Sequence, residues 1–188
     1  MLERLESRRL FAVSLSLDGS GVLRITGTSN NENLQVSERA NLSDPSGREF
    51  VIVQEINSVG TELGSVPESL VSRVVLDGGG GDDLLTCETQ GPKGADIFGG
   101  SGNDQIQFRD TGSAVSVAHG GDGDDRLFIL NGNGTNGATA YGDNGKDTLQ
   151  SFETTRVTYL YGGNAPDGLT GTSQTVMDGG NGPDTIVG

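Results

Sequence analysis

From residue 74 onward every second residue in a series of short runs is apolar, and glycine and aspartate cut the runs at regular intervals. Before the cuts stand Val74 and Leu76, Ala95 and Ile97, Ser116 and Ala118, Ala138 and Ala140, Thr158 and Leu160, Thr175 and Met177. After them come Leu85 and Cys87, Ile106 and Phe108, Leu127 and Ile129, then Leu149, Leu169 and Ile186. Alternation with period two predicts strands with one buried face. Each unit is therefore loop, short strand, variable turn, short strand. Successive units can pair in parallel at ~4.8 Å and bury a thin aliphatic core between two sheets.

The cuts are copies of one eight-residue phrase. They begin at Gly78 (GGGGDDLL), Gly99 (GGSGNDQI), Gly120 (GGDGDDRL), Gly142 (GDNGKDTL), Gly162 (GGNAPDGL) and Gly179 (GGNGPDTI), spaced 21, 21, 22, 20 and 17 residues apart. Four copies fit G-G-x-G-x-D-x-U, with U apolar; Asp143 replaces the second glycine of one, and Ala165 the third of another. Glycine at the first, second and fourth positions permits φ > 0 and lets carbonyls turn toward one point. The sixth position adds a carboxylate: Asp83, Asp104, Asp125, Asp147, Asp167 and Asp184. Carbonyl and carboxylate oxygens are what Ca²⁺ takes, six to eight of them at ~2.3–2.6 Å. One turn has too few, so two stacked turns must share each ion. Six loops leave five gaps, hence up to about five ions.

These phrases resemble the hemolysin-type calcium-binding repeats of the RTX family over residues 76–188. The resemblance implies a right-handed parallel β-roll (a β-solenoid) of about six coils with Gly-rich calcium turns on one edge. The expected metal-holding set is the first, third and sixth position of each copy: Gly78, Gly80, Asp83; Gly99, Ser101, Asp104; Gly120, Asp122, Asp125; Gly142, Asn144, Asp147; Gly162, Asn164, Asp167; Gly179, Asn181, Asp184. The family's roll carries calcium turns at both ends of each coil. This chain has one per coil, and the opposite turns (88–94, 109–114, 130–137, 152–156, 172–174) are irregular. The loop 162–167 should be the weakest, because Ala165 resists positive φ and Pro166 removes a donor.

Charge agrees with a cation-seeking array. Of the net −14, residues 1–76 carry −3 (10 acids, 7 bases) and residues 77–188 carry −11 (16 acids, 5 bases). Such a surface disfavours nucleic acid and anionic lipid. Without metal the carboxylates repel, so the array should fold on calcium and be disordered or molten without it. Only 32% of residues are hydrophobic, and no run of ~18 apolar residues encodes a membrane span. One Cys rules out an internal disulfide framework and a Cys-based zinc site.

Ahead of the array, residues 22–36 alternate around a turn in which Gly27 and Glu32 keep the loop's Gly-to-Asp spacing, as in a decayed first coil. Residues 37–48 are expected as a polar turn, 50–56 as a strand and 57–68 as a loop. The division is an export or sorting segment with a first strand (1–17), a β cap with a degenerate coil (18–75) and the calcium-binding roll (76–188). The start, MLERLESRRLF, resembles an N-terminal sorting segment of bacterial surface proteins, and Arg8-Arg9 fits a twin-arginine signal. An extracellular or cell-surface location follows, where Ca²⁺ is millimolar. The last coil ends on Ile186-Val187-Gly188, an edge that either continues or pairs with another molecule.

The residue before each first glycine should face outward: Asp77, Phe98, His119, Tyr141, Tyr161, Asp178. Phe98, His119, Tyr141 and Tyr161 then form a ladder that stiffens the sheet or a strip for polysaccharide or a cell-surface protein. His119, the sole histidine, is expected to be a solvated side chain, and Cys87 a small buried one. Arg109, Asp110, Arg126 and Arg156 are expected as surface charge, with a lyase-like groove the alternative. Three functions compete: a non-enzymatic structural or adhesive calcium-binding protein, a carbohydrate-active β-solenoid such as a lyase or epimerase, and an ice- or crystal-binding roll. The mixed third positions disfavour the last, and the absence of an acid–base constellation disfavours the second.

Overall fold

The structure is a computed structural model that describes residues 13–40, 47–56, 59–90, 93–130 and 137–188. Where alternating apolar residues meet glycine turns, the chain forms seventeen strands among the described residues. The first five are β1 (Ser14–Leu17), β2 (Val22–Thr28), β3 (Asn33–Ala40), β4 (Arg48–Ile56) and β5 (Val59–Pro67). A single 3₁₀ turn at Glu68–Leu70 leads into the array. Its strands are β6 (Arg73–Gly80), β7 (Leu84–Thr89), β8 (Gly94–Ser101), β9 (Gln105–Asp110), β10 (Ser116–Asp122) and β11 (Arg126–Leu130). They continue as β12 (Ala138–Asn144), β13 (Thr148–Ser151), β14 (Thr158–Asn164), β15 (Gly168–Thr170), β16 (Thr175–Asn181) and β17 (Thr185–Val187).

The strands sort into two sheets, ordered β1-β2-β6-β8-β10-β12-β14-β16 and β17-β15-β13-β11-β9-β7-β3-β4-β5. Each coil gives one strand to each sheet, and neighbouring coils pair in parallel and in register, as in Leu76↔Ile97 and Leu85↔Ile106. The molecule is a parallel β-roll. The decayed first coil is real: Leu23↔Val74 and Leu34↔Leu85 pair in parallel, so β2 and β3 form a rung ahead of the six.

Two expectations fail in the cap. Residues 59–67 are β5, antiparallel to β4, where a loop was expected. Nothing in their pattern shows this, because β5 is mostly exposed and contains Gly60 and Gly64; it is a strand because β4 offers it a ladder. The polar stretch from 37 is likewise strand as far as Ala40, paired with Arg48. The antiparallel pairings β1/β2, β3/β4 and β4/β5 cover both sheets at the N-terminal end. Residues 1–12, including the sorting segment, lie outside the described residues.

The core is two facing columns per sheet. Ile25, Leu76, Ile97, Ala118, Ala140 and Leu160 of one sheet and Leu34, Leu85, Ile106, Leu127, Leu149 and Leu169 of the other are all fully buried. It is widest where β4 adds Phe50 and Ile52, and it thins toward Ser151 and Thr158. Among the described residues no helix is long and apolar enough to cross a membrane.

Candidate metal centre

The turn backbone explains the glycines position by position. The second and fourth positions are left-handed: Gly79 at φ +94° and Gly81 at +96°, Gly100 at +111° and Gly102 at +128°. Asp143 and Ala165, the two departures from the phrase, adopt the same hand at +73° and +85°. The first glycine is not left-handed. It is needed for space, since a Cβ there would collide with two oxygens. At Gly78 these are Asp83 Oδ2 and the Gly99 carbonyl, at Gly99 Asp104 Oδ2 and the Gly120 carbonyl, and at Gly120 Asp125 Oδ2 and the Gly142 carbonyl. Gly142 and Gly162 repeat the arrangement with Asp147 and Asp167. At five successive gaps, then, a carboxylate oxygen of one coil and a carbonyl of the next face one point.

The aspartates point inward, in line with the core columns. Asp83, Asp104, Asp125, Asp147 and Asp167 are at most 3% exposed. One oxygen of each is used: Asp83 N–H donates to Asp104 Oδ1 at 2.7 Å, Asp104 N–H to Asp125 Oδ1 at 2.7 Å, and Asp125 N–H to Asp147 Oδ1 at 2.8 Å. Asp147 and Asp167 continue the ladder to Asp184. The other oxygen, Oδ2, is buried without a hydrogen-bond partner in all five. A buried carboxylate lacking partners is costly. Burial accordingly pushes Asp83 and Asp125 up to about 7 and Asp147 to about 6, against the ordinary 3.8; the preceding coil's N–H opposes this and neighbouring carboxylates add to it. Asp104 and Asp167 are raised for the same first reason.

The third-position side chains lie elsewhere. Ser101, Asp122, Asn144, Asn164 and Asn181 are exposed, and the last four bond to one another. Asn144 Nδ2 donates to Asp122 at 2.9 Å, Asn164 to Asn144 at 2.8 Å and Asn181 to Asn164 at 3.0 Å. They form an amide ladder outside the turn and do not join the buried carboxylates. The fifth position, which sequence reasoning passed over, carries a third ladder. Asp82 N–H donates to Asn31 Oδ1, Asn103 N–H to Asp82 Oδ1, Asp124 N–H to Asn103 Oδ1 and Lys146 N–H to Asp124 Oδ1, at 2.8–3.0 Å. Lys146 has no acceptor to offer, and the next residue in that column, Pro166, has no N–H to satisfy. Pro166 thus leaves that column with no N–H lacking a protein acceptor, and Ala165 is the residue of that loop held left-handed without being glycine.

The outward column forms as expected. Phe98–His119, His119–Tyr141 and Tyr141–Tyr161 stack at centroid distances of 5.4, 4.7 and 5.0 Å, within 11° of parallel. A sugar packs on a ring face, and here the inner faces are taken by neighbouring rings. His119 has a partner that sequence reasoning missed: its Nδ1 lies 2.9 Å from Asp143 Oδ2. The substitution of Asp143 for glycine is therefore what supplies that contact. Cys87 is buried, as expected. Arg156 is not surface charge but 6% exposed, ion-paired with the fully buried Glu153 at 2.9 Å.

Among the described residues no three His, Cys, Asp or Glu side chains converge as a metal cluster. Each rung brings one carboxylate to the column, beside the carbonyl of the following coil. Orphaned Oδ2 atoms, facing carbonyls and the glycine that leaves them room together fit a hard cation such as Ca²⁺. No family model, curated protein or solved structure matches the chain.

Proposed function

We propose that this protein is a non-enzymatic calcium-binding repeat protein whose roll takes up Ca²⁺ between rungs and serves a structural or adhesive role outside the cell or on its surface. The observation that carries this reading is the column of five buried carboxylates, each with one oxygen lacking any protein donor. Asp83, Asp104, Asp125, Asp147 and Asp167 would hold the ions, with carbonyls of Gly99, Gly120, Gly142, Gly162 and Gly179 from the following coils. A bound divalent ion supplies the positive charge that the column lacks. The fold supplies the rest: it buries the carboxylates, fixes one oxygen of each by a backbone N–H and keeps the cradle open with glycine. One carboxylate per rung makes each site weak, which matches millimolar extracellular Ca²⁺.

Calorimetric titration with Ca²⁺, run beside circular dichroism, tests the reading. About five ions and a calcium-dependent gain of β signal are expected. No heat of binding, with β content unchanged by a chelator, would overturn it.

A further inference from the structure

We infer that the rung made by β2 and β3 holds together without a cation and acts as the template on which the calcium rungs order. The inference rests on the calcium reading of the other rungs. Three observations carry it. Glu32 occupies the carboxylate position of this rung, and unlike the five aspartates both its oxygens have donors from the protein. Thr28 N–H reaches Oε2 at 3.1 Å and the Thr28 hydroxyl reaches Oε1 at 2.6 Å. The extra methylene of glutamate is what lets the carboxylate cross its own turn to Thr28.

Secondly, the turn Gly27–Glu32 is not the calcium turn. Its second and fourth positions, Thr28 and Asn30, are absent from the left-handed residues, whereas all six repeats are left-handed at both. The turn is braced by side chains in place of an ion: Asn30 N–H and Nδ2 both donate to Thr28 Oγ1, at 3.1 and 2.9 Å. Thirdly, the rung belongs to the widest part of the core. Leu23, Ile25, Leu34 and Val36 are buried with Phe50, Ile52 and Val71, and β1 and β4 flank the rung on the side away from the array.

This rung nevertheless presents the array with what a calcium rung presents. Glu32 N–H donates to Asp83 Oδ1 at 2.6 Å, Asn31 Oδ1 accepts from Asp82 and the Glu32 carbonyl accepts from Leu84 N–H at 2.8 Å. Asp83 is thereby held by one oxygen before any ion arrives, with Oδ2 left for the metal. Ordering then proceeds from this end, each filled rung fixing the aspartate N–H that orients the next carboxylate.

Hydrogen exchange of the full chain, read by mass spectrometry in excess chelator and in millimolar Ca²⁺, tests this. In chelator, amides of 22–40 and 48–56 are expected to exchange at least ~100-fold more slowly than those of 116–187, the two regions converging when Ca²⁺ is added. Fast exchange throughout in chelator, with protection everywhere in Ca²⁺, would overturn the template while leaving calcium binding intact. Protection everywhere under both conditions would overturn the calcium reading and the template role with it. Two variants separate the rungs. Thr28→Val should cut chelator-state protection of 22–40 at least ~10-fold. Asp83→Asn should leave that protection unchanged and lower the number of bound ions; the reverse assignment of effects would refute the inference.

Discussion

The two edges of the roll solve the same problem, closing a coil, in opposite ways. On the repeat edge every coil turns in the same six residues, and its buried charges share one sign. On the other edge the turns differ in length and sequence, and several of their charges are ion-paired within the protein. Glu153 and Arg156 form a buried pair, Lys93 Nζ meets Glu68 at 2.6 Å, and Arg48 lies 3.3 Å from Glu38. If an outside ion is to find the same oxygens at every gap, as the proposed function has it, regularity is required. Where the protein supplies both signs, each turn can settle its own account independently.

The largest effects should come from breaking that contrast at a charge. Arg156→Ala removes the buried cation that Glu153 Oε2 meets at 2.9 Å, and about 3–5 kcal/mol should be lost in urea unfolding of the calcium-saturated protein. Asp125→Asn should act in the opposite sense on the two states. The metal-free protein should gain thermal stability at neutral pH because a buried charge is gone, while the rise in Tm on adding Ca²⁺ shrinks. A variant that lost stability equally in both states would show that the carboxylate serves packing alone.

Acidity should substitute for metal on the repeat edge only. The buried aspartates titrate above the unfolded value of 3.8, at about 7 for Asp83 and Asp125. Neutral carboxyls favour the folded state, so metal-free stability is fully present below about 3.8 and drains away as pH rises through about 7. Circular dichroism in chelator should therefore show β structure at pH 4 that fades toward neutrality, and added Ca²⁺ should restore it there. The smallest expected effects concern backbone. Gly120→Ala places a methyl against Asp125 Oδ2 and the Gly142 carbonyl and should cost about 2–4 kcal/mol. Ala165→Gly, which relieves a left-handed alanine, should stabilise by about 1 kcal/mol in the same assay.

Much of this was legible in the sequence because one constraint repeats. The fixed step from first glycine to aspartate set the register, and the apolar residues two before and two after it gave both core columns. The outward aromatic ladder followed from the same count. What escaped depended on contacts between residues far apart in the chain. β5 is a strand only through β4. The pairing of His119 with Asp143 spans 24 residues. The matching of Lys146 to Pro166 is visible only once both stand in one column. Glycine at the first position was expected to supply a torsion and instead supplies space, a distinction that needs the Asp side chain in place. Whether the third-position side chains join the buried carboxylates is likewise a matter of rotation about the turn, and Asp122, Asn144, Asn164 and Asn181 bond to one another outside it.

The unequal coil lengths of 17–22 residues have a further consequence. The five-residue step from first glycine to aspartate never varies, so every insertion and deletion among the coils falls beyond it, and the most variable segments are the opposite turns. Changes of length on one flank therefore leave the register of the other intact. An engineer seeking to graft a foreign peptide onto the rod would choose the loop at 109–115, spare 152–157 with its buried Glu153–Arg156 pair, and leave the glycine side untouched.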